Sequence, residues 1–90
     1  MDTELMVFDG NEVEVFELNN IIYFNPGDVA ACLGIADVNS VTRDFNDKQL
    51  IKLTNSVVHT IHIRKLNNAG ENFLTESGVY KLIFKSRKPL

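Results

Sequence analysis

The chain of 90 residues contains a single cysteine, so Cys32 has no intramolecular partner for a disulfide. Its start, Met1-Asp2-Thr3-Glu4, lacks the basic flank and apolar run of a secretory signal, and a reducing cytoplasm is the expected compartment. No apolar stretch approaches the roughly 20 residues needed to cross a bilayer. Repeats, low-complexity segments and linkers are also missing, which leaves one small domain spanning residues 1–90.

The equipment of catalysis is equally scarce. Gly10, Gly27, Gly34, Gly70 and Gly78 are dispersed and compose no phosphate-cradling loop. Ser40, Ser56, Ser77 and Ser86 stand in no motif that activates a hydroxyl. His59 and His62 lie three apart in a predicted strand and so point to opposite faces; with one cysteine in the chain there is no zinc set. The expectation is a protein without enzymatic activity, cofactor or metal, in which Cys32 is a small buried hydrophobe.

Positive charge is missing from one half only. Residues 1–40 carry eight acids and no lysine or arginine, whereas residues 41–90 carry all nine bases against Asp44, Asp47, Glu71 and Glu76. The net charge of −3 therefore conceals halves of −8 and +5. It excludes indiscriminate coating of nucleic acid or membrane, and the asymmetry points to two separate interaction surfaces.

Hydrophobic residues make up 44% of the chain, and their spacing predicts the elements. Runs at 4–8 and 12–18, separated by Asp9-Gly10-Asn11, read as a hairpin, and Asn19-Asn20 turns into a third strand at 21–24. In the second run Val13 and Val15 share one face while Phe16 and Leu18 take the other, which suggests a bulge or a strong twist near Val15-Phe16. Asn25 and Pro26 open a helix whose stripe is Val29, Cys32 and Leu33, and Gly34 ends it. Asp37 caps a second helix expected over 38–45, with Val38, Val41 and Phe45 inward. Strands follow at 50–53, 57–66 and 72–74. Thr75 then caps a helix over about 76–86, with Val79, Leu82, Ile83 and Ser86 on one face, widened by Tyr80 and Phe84. The fold class is α+β, a small antiparallel sheet with a helix-turn-helix-like pair and a C-terminal helix.

That helical pair, joined by Gly34-Ile35-Ala36, has the spacing of a helix-turn-helix, with the small Ala30 four residues before Gly34. The register is off by one, because the buried position of the second helix falls on Ser40 rather than Val41. As a DNA reader, the second helix offers Asn39 to adenine, Arg43 to guanine, and Ser40 or Thr42 to bases or phosphate. As a structural hairpin, it merely shows its solvated side, with Asp44 offsetting Arg43. Lys81, Lys85, Arg87 and Lys88 form a second positive locus, enough for about four phosphate contacts or for complementing a helix dipole. Arg64 and Lys65 point to opposite faces of the predicted strand. Glu12, Glu14 and Glu17 on the hairpin suit a basic protein surface, or simply keep an edge strand soluble.

The closing run from Phe73 to Pro89, containing Glu76-Ser77-Gly78-Val79-Tyr80 and Ser86-Arg87-Lys88-Pro89, resembles the signature of the Bro-N domain. This is the N-terminal domain of BRO-type viral proteins and prophage antirepressors. Tyr23-Phe24, Asp28-Val29-Ala30, Leu33-Gly34 and Arg43-Asp44 match in the same order. The resemblance implies DNA binding and antirepression, the relief of a phage repressor in the cytoplasm of a bacterial host. Relatives usually continue into a different C-terminal domain; this chain stops at Leu90, and an excised domain or a short member is expected. The partners implied are DNA, with a phage repressor or a second copy of the chain as the protein alternative.

Overall fold

A computed structural model describes residues 4–8, 10–58 and 65–86, with backbone alone at 4–8 and at 58. Five strands form one antiparallel sheet in the order β1-β2-β3-β5-β4: β1 (Glu4–Phe8), β2 (Asn11–Leu18), β3 (Ile21–Phe24), β4 (Leu50–Leu53) and β5 (Glu71–Leu74). Helices α1 (Pro26–Cys32) and α2 (Val38–Val41) follow the meander, α3 (Asn55–Val58) follows β4, and α4 (Glu76–Ser86) closes the described chain. The α+β expectation holds.

The meander is built as its turns dictate. Gly10 has φ of +80°, and Asn19 and Asn20 both take the left-handed conformation that a two-residue hairpin turn requires. Pairing runs without interruption from Glu4↔Val15 to Phe8↔Asn11 and from Val15↔Phe24 to Leu18↔Ile21, so β2 contains no bulge. Its apolar side changes for another reason: both faces of the sheet are covered.

Across one face run Val15, Phe24, Leu74 and Leu50, opposite one another on successive strands. Val29 and Leu33 of α1 and Leu82 of α4 pack onto this row. The other face carries Phe16, Leu18, Tyr23, Phe73 and Leu53, closed by Leu66. There Phe16 stacks on Tyr23 at 5.4 Å and meets the edge of Phe73 at 5.1 Å. Such ring pairs contribute about 0.5–1.5 kcal/mol each beyond their burial.

Three expectations are corrected. The second helix ends at Val41 rather than at residue 45: beyond Thr42, whose hydroxyl donates to the Val38 carbonyl (2.8 Å), the Phe45 amide bonds to the Thr42 carbonyl in a tight turn (3.0 Å) that brings Phe45 against the core. The predicted strand at 57–66 begins instead as part of α3. The Asn55 side chain donates to the Leu66 carbonyl and accepts from the Leu66 amide, both at 2.8 Å, a clip that ties the start of α3 to Leu66. His59, His62 and Arg64 lie outside the described residues, and Lys65 is exposed. Tyr80 and Phe84 do not widen the buried face of α4. Phe84 is 82% exposed and Tyr80 64%, on the side opposite the buried Leu82.

Candidate nucleic-acid interface

Two anchors set the helical pair on the sheet. The Asn25 side chain accepts from the Asp28 amide (3.1 Å) and caps α1, with Pro26 in the first turn. Asp28 in turn accepts from the Glu14 amide (3.0 Å), and Asn25 Nδ2 donates to Glu14 Oε1 (3.1 Å). Glu14 is thus half-buried and bound to the start of α1. Of the acidic trio, Glu12 is exposed, Glu17 is half-buried, and Glu14 serves the fold.

The turn after α1 follows its residues closely. Gly34 has φ of +71°, the Ile35 amide reaches back to the Ala30 carbonyl at 2.9 Å, and Ala30 is buried. Ile35 is half-buried and packs against the core. Asp37 accepts from the Ser40 amide at 3.2 Å and caps α2. This helix is a single turn, so it offers individual side chains and not the long rod of a groove-reading helix. Val41 packs inward while Asn39, Ser40 and Arg43 are exposed, which resolves the off-by-one register in favour of Val41. Thr42 is 7% exposed with its hydroxyl committed to Val38, and it drops out of the contact set.

The cations of α4 converge on the loop that follows α2. Lys85 Nζ lies 2.6 Å from Asp44 Oδ1 and donates to the Val41 carbonyl at 2.9 Å, satisfying a carbonyl at the end of α2. Lys81 Nζ lies 3.7 Å from Asp44 Oδ2 and 3.4 Å from Gln49 Oε1. Both ammonium groups sit over the Phe45 ring, at 4.8 and 5.5 Å from its centre. Asp44 therefore offsets the lysines of α4, where its position in sequence had assigned it to Arg43. Arg87 and Lys88 lie outside the described residues.

The hydrogen bond from Lys85, above all, holds the Asp44 carboxyl below its ordinary value of 3.8. A carboxyl whose pKa is lowered on folding keeps its contribution above the unfolded value and loses it as pH falls through the lower folded one. The Asp44 carboxylate is accordingly charged at neutral pH, and its pairing with the lysines is lost only as pH falls through its lowered pKa.

Residue spacing singled out Lys81, Lys85 and Arg43 as candidates, but not Asp44 as the partner shared by the two lysines, nor Phe45 and Gln49 as supports. Lys85 and Asp44 are 41 residues apart, and no local pattern links them. Among the described residues no three acidic, histidine or cysteine side chains gather as metal ligands, and no helix is long and apolar enough to cross a membrane.

The assembled chain is an antiparallel sheet covered on one face by a short helical pair and a C-terminal helix, whose lysines meet the loop after that pair. Residues 12–90 match the model of the BRO family N-terminal domain, and the chain belongs to that family. No curated protein and no solved structure matches it.

Proposed function

We propose that this chain is the DNA-binding module of a phage or prophage antirepressor, a regulator of phage gene expression without catalytic activity of its own. The observation that carries the reading is the convergence of Lys81 and Lys85 on the loop bearing Arg43, beside the exposed Asn39 and Ser40 of α2. Two cations of α4 thus meet, across about 40 residues of sequence, the loop that adjoins α2 and its exposed polar side chains, an arrangement suited to contact with phosphates and base edges. Membership of the BRO family supports it. The acidic hairpin, with Glu12 and Glu17, is kept away from that role by its charge.

Fluorescence anisotropy of a labelled duplex of about 20 base pairs, titrated between about 50 and 200 mM salt, tests the reading. Binding should weaken with a log–log slope reduced by about one when Arg43 is replaced by alanine, and Asn39→Ala should weaken it without changing the slope. Absence of binding at low salt would overturn it. The alternative, capture of a basic repressor surface by the acidic hairpin, predicts that Glu12→Lys with Glu17→Lys abolishes partner co-purification and leaves duplex affinity intact or raised. Glu14 is unsuitable for that experiment because its reversal would unfasten α1.

A further inference from the structure

We infer that Lys81 and Lys85 form a seat for one backbone phosphate of a nucleic acid, and that Asp44 occupies this seat in the unbound chain. The inference rests on the DNA-binding reading and specifies its anchoring site. The carboxylate of Asp44 directs one oxygen to each ammonium, Oδ1 to Lys85 and Oδ2 to Lys81, as two non-bridging phosphate oxygens would.

The ammonium groups do not depend on Asp44 for their position. Lys85 is held by the Val41 carbonyl, Lys81 by Gln49, and both by the face of Phe45. These partners are uncharged, so removal of the carboxylate leaves two positioned positive charges with less compensation. Access from solvent is already present: the Asp44 side chain is 60% exposed, on a loop, and the two lysine side chains are about one-third exposed. An exposed ion pair of this kind adds little to stability, so its exchange for a stronger anion costs little. Arg43, next to Asp44 in sequence, is exposed.

The test compares wild type, Asp44→Asn, Asp47→Asn, and Asp44→Asn combined with Lys81→Gln and Lys85→Gln, in the same duplex titration. Asp44→Asn should bind about three- to tenfold more tightly at low salt, with a slope steeper by about one, so that the gain shrinks about 3.5-fold between about 50 and 200 mM salt. Asp47→Asn, which removes the same charge elsewhere on the exposed loop, should change affinity less than about twofold, and the triple variant should lose the gain. Thermal melts should show all three variants folded.

An Asp44→Asn gain no larger than that of Asp47→Asn would mean a general charge effect and overturn the seat while leaving DNA binding in place. Absence of duplex binding by every variant would overturn both. Inorganic phosphate should displace the duplex from Asp44→Asn no better than chloride at equal ionic strength. Stronger displacement by inorganic phosphate would make the seat one for a small free anion and overturn the backbone assignment.

Discussion

Replacement of Gly78 by alanine tests how α4 is held. Thr75 caps this helix, its hydroxyl accepting from the Gly78 amide at 3.2 Å, and its own amide donates to the Gln49 carbonyl at 3.0 Å. The first turn of α4 is thereby pressed against the chain just before β4. A Cβ on Gly78 would lie 2.0 Å from that Gln49 oxygen and 2.9 Å from its carbon, with Leu74 Cδ2 at 3.0 Å. Two opposing terms decide the outcome. Alanine in place of glycine inside a helix gains about 1 kcal/mol. Overpacking costs about 1–3 kcal/mol where side chains can adjust, and here the obstacle is backbone that α4 itself is bonded to, which puts the cost at or above the top of that range.

The net expectation for Gly78→Ala is a loss of about 2 kcal/mol, or roughly 10 °C in Tm for a domain of this size. Denaturant and thermal melts followed by circular dichroism measure it. The same displacement should weaken duplex binding, because α4 carries Lys81 and Lys85 to the loop after α2. Unchanged or raised stability would show that the close approach between α4 and Gln49 is not part of the fold, and the packing argument for the interface would fail with it.

Two further perturbations separate folding from surface roles. Asn25→Ala removes both the cap of α1 and the bond to Glu14, and should cost about 1–2 kcal/mol in denaturant melts; a loss within error would mean that α1 is placed by its apolar stripe alone. Phe84→Ser should leave Tm within about 2 °C of wild type, since a surface substitution usually changes stability by no more than about 0.5 kcal/mol. A large destabilisation would show that the ring is packed and not exposed.

What the sequence revealed about the fold was mostly local. Asn25, Asp37 and Thr75 cap the helices they precede, Gly34 supplies the left-handed exit, and α4 has the bounds that its spacing and cap predict. Each of these signals acts over three or four residues. The errors share the opposite character. A β-branched run at 57–58 resembles a strand until the Asn55 clip to Leu66 is known, and that clip spans 11 residues. The change of apolar side in β2 suggests a bulge or a twist because the groups that pack with the second face, Leu66 and the β5 residue Phe73, lie far along the chain. Periodicity includes Tyr80 and Phe84 in the apolar side of α4, although nothing in the sequence states how wide the receiving groove is.

The candidate interface was legible in the same partial way. Its cations and its exposed polar residues on α2 stand out by type and spacing. Thr42 looked like one of them because the sequence does not show a hydroxyl folded back on its own helix. Asp44 looked like a counter-charge to its neighbour Arg43, whereas tertiary packing gives it to Lys81 and Lys85.

Chemical-shift mapping of the labelled chain with a short duplex tests the central claim most directly. The account predicts salt-sensitive perturbations at 38–45 and along 81–86, with the hairpin at 11–24 unaffected. Perturbations confined to the hairpin, or none at any salt concentration, would contradict it.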